Sequence, residues 1–320
     1  MSNNAPSSQP HRLSRPLITS HLTQRYFALL LALLLGGCAS AGVGVWPEGS
    51  GESAARALVE RSVAAHGGNL FEEIDDLTVS YEGRWGRLTP RIQPVLADKG
   101  FRRQSVETYL LENEVVRQVH EGPQGKKTVV RDRDSIDVDY HGARITNDEH
   151  QVTSALVADV YIMLTTGPSF FLRQGVELEL GPPERHKGRT LDVALARLRP
   201  GFGLSEEDRV KLWIDRETSL LERVQFTLEG YERTRGAEVD VRFEEHRTLE
   251  GRVWPTLFVE RIRRPLDLFA HRWRLTGLEL DRGLTDEELR EGGSARVAER
   301  PRALDPTRTS ALNDDELSAP

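Results

Sequence analysis

Two short motifs of this 320-residue chain contain residue types that could do chemistry, and neither completes a site. Gly122-Pro-Gln-Gly-Lys-Lys127 has glycines and lysines like a phosphate loop, but the spacing is wrong and no Ser or Thr follows the first lysine. Four aspartates lie between residues 132 and 139. A calcium loop counted from the first of them needs Gly and Glu where Asp137 and Ala143 stand. We interpret the first motif as a hairpin turn and the second as a solvated strand face.

Catalytic patterns are also missing from the sequence. The nine histidines show no paired metal spacing such as His-Glu-x-x-His, and there is no Gly-x-Ser-x-Gly elbow. Fifty acidic residues make chance carboxylate pairs unavoidable, so such pairs carry no information without geometry. We therefore predict no catalytic residue, no metal and no cofactor, and expect the chain not to be an enzyme. A carboxylate-based hydrolase remains the less favoured alternative.

The one cysteine, Cys38, follows a segment that differs from the rest of the chain. Residues 1–37 contain three arginines, no Asp or Glu, and an apolar run over 26–35. That run is too short to span a bilayer, which needs about 20 apolar residues. A basic stretch, a short apolar stretch and small residues are together typical of a signal peptide. The sequence therefore predicts export.

The four residues Leu35-Gly-Gly-Cys38 resemble the lipobox of bacterial lipoproteins. In that family the cysteine thiol takes a diacylglycerol group, and the peptide before it is then removed. The resemblance implies lipidation at Cys38, and two or three acyl chains anchor a protein durably. Because Ala39 rather than Asp follows, it further implies the outer membrane, with the protein facing the periplasm. An ordinary signal peptide with a chance cysteine, or an uncleaved anchor, remains the alternative.

Composition limits the partners and divides the chain into segments. Three of the 43 basic residues lie in the signal segment, which leaves 40 against 50 acidic residues and a net charge of −10. Such a charge disfavours nucleic acid and anionic lipid surfaces as electrostatic partners. Residues 38–51 are small and Gly-rich, as in a flexible tether. We predict one folded domain over 52–290 and a disordered, polar tail over 291–320.

Hydrophobic periodicity predicts an α+β fold dominated by strands. Helical spacing is found over 52–65, where glycines follow, and over 149–165. Period-two alternation predicts a strand in each of these segments: 77–85, 136–140, 176–180, 210–214, 220–228 and 239–243. Less regular strand candidates lie near 100–110, 113–120, 126–132, 188–198, 252–263 and 271–281. Short linkers favour an antiparallel meander, and a sheet of about eleven strands must curve strongly.

Three stretches, residues 57–68, 211–226 and 251–256, resemble the superfamily of periplasmic lipoprotein carriers and their outer-membrane receptors (LolA/LolB-like). In that fold a half-open antiparallel barrel has helices over its concave face, and acyl chains lie between. The resemblance implies non-covalent binding of lipid or of a lipidated protein, in envelope lipid or lipoprotein transport or maintenance. A structural or interaction lipoprotein with a filled core remains the alternative.

The residues that would line such a cavity belong to the apolar faces of the strands and of the second helix. We predict as wall residues Val79, Tyr81, Trp85, Ile136, Val138, Leu212, Ile214, Phe226, Val241 and Phe243. We predict as lid residues Leu156, Val160, Tyr161, Leu164, Phe170 and Phe171. At any single position, solid packing against the helices is an equally good interpretation. The predicted partners are the membrane, through lipid on Cys38, and an acylated ligand.

Overall fold

The computed structural model describes residues 51–305. The predicted signal peptide 1–37, Cys38, residues 39–50 of the predicted tether and residues 306–320 lie outside the described residues. Export, lipidation and anchoring therefore stay predictions.

The domain opens with a helix, α1 (Glu52–His66), whose buried residues Ala55, Leu58, Val59 and Val63 recur at helical spacing. The helix ends at Gly67, whose φ of 102° lies in the left-handed region, where a side chain would be strained. A one-turn helix, α2 (Leu70–Glu73), follows.

His66 connects the end of α1 to two strands. Its Nδ1 lies 2.8 Å from the carbonyl oxygen of Val253, and its Nε2 lies 3.1 Å from the amide nitrogen of Leu221. Since the Leu221 N–H donates to Nε2, the ring proton is on Nδ1 and donates to Val253. Burial lowers the pKa of His66 to about 4, so the ring is held neutral.

In the described part of the chain, thirteen antiparallel strands form one sheet. They are β1 (Asp76–Trp85), β2 (Gln104–Leu110), β3 (Val115–Gly122), β4 (Gly125–Arg131), β5 (Ile136–Tyr140), β6 (Ala143–Arg144), β7 (Val176–His186), β8 (Arg189–Leu198), β9 (Asp208–Asp215), β10 (Leu221–Thr227), β11 (Glu238–Leu249), β12 (Arg252–Arg264) and β13 (Leu268–Leu280). Two short helices, α3 (Thr89–Ile92) and α4 (Pro94–Ala97), separate β1 from β2. The prediction of about eleven strands was too low. The shortest strand, β6, has two residues, too few for alternation to be visible.

The order of strands explains how a helix comes to cover the sheet. The first strand, β1, lies in the middle of the sheet. From there the chain runs outward to the edge strand β6 and resumes at the opposite edge with β7. It then returns strand by strand until β13 pairs with β1. The connection between the two edges is the helix α5 (Asp148–Thr166), which contacts β3, β4 and β5. The two edges do not pair, so the predicted curved, half-open α+β sheet is confirmed.

The core lies between this helix and the inner face of the sheet. Leu156, Met163 and Leu164 of α5 belong to the same buried cluster as the inward residues of β1 and β9–β13. Residues 148–172 form a segment long and apolar enough to cross a membrane, but 72% of its most apolar window is buried inside the domain. Its apolar character is therefore accounted for by packing.

The segment after β13 packs on the opposite face of the sheet. Two short helices, α6 (Asp286–Glu291) and α7 (Ala295–Ala298), place Leu289 and Val297 in a second buried cluster with Val115. Val116, the next residue of β3, faces the main core. The prediction of disorder was therefore wrong for residues 291–305. The few apolar residues of this segment are too widely spaced to show a helical period, but they suffice to form a small satellite cluster.

Candidate functional site

A cavity of about 350 Å³ lies between α5, the segment of α3 and α4, and the inner faces of β10 to β13. We call it the main cavity. Its volume falls at the lower end of the range for small-molecule sites, roughly 300–1,000 Å³. Apolar residues form most of its wall: Trp85, Ile92, Leu96, Ala97, Leu156, Val157, Val160, Tyr161, Leu164, Phe226, Leu228, Ala237, Val239, Val241, Ile262, Leu266, Leu268 and Trp273.

The sheet side of the main cavity follows from strand alternation. Val239 and Val241 are two residues apart on β11 and both reach the wall. The same spacing brings Phe226 at the end of β10 and Leu228 just beyond it to the wall. Their neighbours in sequence face away, so each strand contributes every second side chain.

Seven of the sixteen residues predicted for the wall and lid line the main cavity. From the predicted wall these are Trp85, Phe226 and Val241, and from the predicted lid they are Leu156, Val160, Tyr161 and Leu164. The structure brings these seven together around one space.

The other nine predicted residues lie away from the main cavity. Val79, Tyr81, Leu212, Ile214, Phe243, Phe170 and Phe171 are buried in the main core cluster. Ile136 and Val138 belong to a small separate cluster with Val129 and Ala158 of α5. Alternation identifies the inward face of a strand, but it does not show where along that face the helix stops filling the space.

Stacked aromatic rings form one side of the main cavity. The Trp273 and Tyr161 ring centroids are 5.5 Å apart, and those of Trp273 and Phe258 are 5.1 Å apart with an interplanar angle of 2°. Such stacked rings contribute about 0.5–1.5 kcal/mol per pair beyond their burial. Tyr161 lies on α5, which we call the lid helix. This extended aromatic contact therefore fixes the lid helix against β12 and β13.

Arg102, which precedes β2, lines the main cavity and was not predicted. Its side chain is buried, and its guanidinium carbon lies 5.1 Å from the Trp85 ring centroid and 5.3 Å from that of Tyr161. One terminal nitrogen donates to the Leu96 carbonyl at 3.0 Å, and the other donates to the Tyr161 hydroxyl at 3.0 Å. Arg102 thus connects the lid helix to α4 while its planar group lies between two aromatic rings.

Glu260 is the second charged residue inside the main cavity that sequence reasoning missed. It lies on β12 between Phe258 and Ile262, at the position of alternation that faces inward, where the pairing with β13 shifts by one residue. Burial raises the pKa of Glu260 to about 7, against the opposing field of Arg102. Within residues 51–305 its carboxyl group has no hydrogen bond or ion pair. The signal in the sequence was an acidic residue at an inward position of β12, between the apolar Phe258 and Ile262.

The mouth of the main cavity exposes apolar side chains beside basic ones. Ile92 on α3 is 52% exposed and Leu266, between β12 and β13, is 61% exposed. Arg233 and Arg235 lie at the same mouth, and Arg233 pairs with Glu149 at 3.4 Å. An amphipathic molecule could therefore meet apolar surface before it enters.

A buried polar network next to the main cavity attaches the lid helix to the sheet. The Glu107 carboxyl accepts hydrogen bonds from Ser105 at 2.7 Å, from Gln118 at 3.0 Å and from the Tyr109 hydroxyl. The Tyr109 hydroxyl in turn lies 3.3 Å from the Thr165 hydroxyl of α5. Burial raises the pKa of Glu107 despite these donors. The network holds the lid on the strands, and in residues 51–305 no cluster of three metal-ligating side chains accompanies it.

Comparison with known proteins gives matches among solved structures. No family model and no curated protein matches the chain. A LolA superfamily protein from Nitrosomonas europaea matches with 10% identity over 73% of this chain and 96% of the other, with a TM-score of 0.47. A DUF1329 family protein from Desulfovibrio piger matches with 14% identity over 73% and 96%, with a TM-score of 0.45.

A third solved structure is a putative outer membrane lipoprotein-sorting protein domain from Vibrio parahaemolyticus. It matches with 8% identity over 76% of this chain and 98% of that domain, with a TM-score of 0.39.

Proposed function

We propose that this protein holds an acyl chain of a lipid or of an acylated protein in the main cavity, without covalent chemistry. The observation that carries the proposal is an apolar space of about 350 Å³ beneath a lid helix. A water-sized group occupies about 30 Å³, so the main cavity holds about a dozen such groups. A chain of that length gains about 0.8 kcal/mol per buried CH₂, or roughly 10 kcal/mol before the costs of binding.

The polar groups of the main cavity favour binding over hydrolysis. Among the described residues that line it, Glu260 is the one carboxylate. Glycoside hydrolysis, for example, uses two carboxyl groups that flank the scissile bond. The lining supplies one such group, which favours the binding proposal over the hydrolase alternative.

We further propose that lipid on Cys38 anchors the protein to the outer membrane, where it serves envelope lipid or lipoprotein transport or maintenance. The lipobox-like residues 35–38 and the apolar run before them support this. Changing Cys38 to Ser should leave the protein unlipidated and release it from the membrane fraction or leave it unprocessed. Unchanged fractionation together with an unchanged intact mass would refute the anchor.

Filling the main cavity tests the binding proposal. Val157 lies on the lid helix, lines the cavity and is partly exposed, so Val157→Trp adds bulk there without replacing a fully buried residue. Leu204→Trp is the matched control, because Leu204 is 68% exposed and lies outside the lining. We expect native mass spectrometry to show co-purifying or added fatty acid on the wild type and the control, and little on Val157→Trp. Equal loading of all three proteins would place the ligand elsewhere.

A further inference from the structure

Of the residues that the structure describes, four charged ones line the main cavity, and two of these have no ion-pair partner within 51–305. Arg233 and Arg235 are exposed at the mouth, whereas Arg102 is buried and Glu260 is half-buried in the wall. Charges are rarely kept in an apolar site unless a partner compensates them, because desolvation is costly. The inference drawn from this pair rests on the proposed function, since it concerns the ligand of the same cavity.

Arg102 retains free hydrogen-bonding capacity. A guanidinium carries five N–H groups, and two of them donate to Leu96 and Tyr161. Within residues 51–305 no carboxylate lies within ion-pair distance of it, and its other N–H groups have no hydrogen-bond partner. The side chain is nevertheless only 7% exposed. A buried guanidinium with unused donors at the wall of a cavity is suited to bind an oxyanion.

Glu260 complements Arg102 as a hydrogen-bond donor. Its carboxyl lies close enough to feel the field of Arg102, but the two groups do not form an ion pair. Since burial raises the pKa of Glu260 to about 7, a large fraction of the protein carries the neutral acid near neutral pH. A neutral carboxyl group donates one hydrogen bond, and an anion placed beside it would favour that state further.

We propose that the main cavity binds a small single-chain amphiphile whose head is an oxyanion, with Arg102 as its ion-pair partner and Glu260 as a hydrogen-bond donor. The carboxylate of a fatty acid and the phosphate of a single-chain lipid share this chemistry. The volume of about 350 Å³ matches one chain rather than the several chains of a lipidated protein. Arginine also outnumbers glutamate in the lining, which disfavours a cationic head.

Three probes with one chain length separate the head from the chain. Dodecanesulfonate, dodecanol and dodecyltrimethylammonium carry an anionic, a neutral and a cationic head, and their charges do not change near neutral pH. Calorimetric titration of the full-length protein, below micelle formation, should show the sulfonate binding at least about tenfold more tightly than dodecanol, since charge-assisted hydrogen bonds contribute about 1.5–3 kcal/mol. Equal binding of the two, or a preference for the ammonium, would overturn the inference and leave the proposed function standing. Failure of all three probes to bind would overturn the proposed function itself.

Variants of Arg102 distinguish recognition of the head from a structural role. We expect Arg102→Met to lose the preference for sulfonate while its affinity for dodecanol stays within about threefold, and Arg102→Lys to keep part of that preference. Arg61→Met is the control, because Arg61 is exposed on α1 and lies outside the lining, and this variant should keep the full preference. An unchanged preference in Arg102→Met would contradict the assignment.

The contribution of Glu260 is tested on a protein with Arg102 intact. In the wild type, affinity for the sulfonate should fall as the pH rises from about 6 to about 8, because the donor becomes an anion. Glu260→Gln keeps a donor and should show no such fall. The same pH dependence in both proteins would remove Glu260 from the site.

Discussion

Replacing Glu260 with Gln should raise the free energy of unfolding at alkaline pH and change it little at acid pH. In the unfolded chain the carboxyl ionises above its ordinary pKa of 4.5, whereas in the folded protein burial raises that pKa to about 7. Between these values the folded state binds the extra proton, so the stability of the wild type falls as the pH rises through this window. Glutamine has no charge to desolvate and therefore lacks this loss.

The magnitude follows from the difference between the two pKa values of Glu260. A displacement from 4.5 to about 7 corresponds to roughly 3.4 kcal/mol at about 1.36 kcal/mol per pH unit. Solvent reaches the carboxyl through the mouth of the main cavity and screens its charge. We therefore expect a difference in the free energy of unfolding of about 1–2 kcal/mol. The variant should gain this amount over the wild type above about pH 7 and almost nothing below about pH 4.5.

Urea unfolding of the wild type and of Glu260→Gln across this pH range measures the difference. Glu112→Gln, in the exposed turn between β2 and β3, is the matched control for removal of one carboxylate. A stability difference for Glu260→Gln that is the same at all pH values would refute the reasoning, because it would show that the carboxyl is not desolvated. Loss of stability at alkaline pH would indicate an ionised carboxylate with an unrecognised partner.

Other parts of the domain give predictions that can be measured in the same unfolding assay. His66→Phe should remove a loss of up to about 3.4 kcal/mol that the wild type suffers as the pH falls from 6.5 to about 4, because burial disfavours the charged ring; identical acid profiles would contradict this. Tyr109→Phe should destabilise by about 1–3 kcal/mol, since Glu107 loses a buried donor; an unchanged urea midpoint would contradict it. Phe171→Ala should cost about 3–5 kcal/mol by leaving a cavity in the core, and a cost below about 1 kcal/mol would show that the site collapses.

Strand faces were predictable from the sequence because alternation is a local property. Val239, Val241 and Phe243 of β11 are all buried on the inner face, as period-two spacing predicts. The helix predicted over 149–165 is found at Asp148–Thr166 for the same reason, with Asn147 accepting a hydrogen bond from the His150 amide at its start. The curvature of the sheet was predictable from the number of strands, because a sheet with so many strands must curve.

Long-range features were not predictable from local patterns. The pairing of β1 with β13 joins the two ends of the domain, with Leu77 opposite Leu280, and no local pattern specifies it. Arg102 lies in an irregular segment before β2, so its position against Trp85 and the lid helix depends entirely on that topology. Glu260 did carry a signal, an acidic residue among the inward positions of β12. The sequence could not show that this position faces a cavity rather than a partner.

Quenching of tryptophan fluorescence by a brominated acyl chain tests the central claim most directly. Trp85 and Trp273 line the main cavity, whereas Trp213 packs on the outer face of the sheet with Leu191, Val193 and Leu195. Brominated dodecanoate bound in the main cavity should quench the wild type and Trp213→Phe strongly, and should quench the Trp85→Phe, Trp273→Phe double variant weakly. Equal quenching in all three proteins, or loss of quenching in Trp213→Phe alone, would contradict binding of the acyl chain beneath the lid helix.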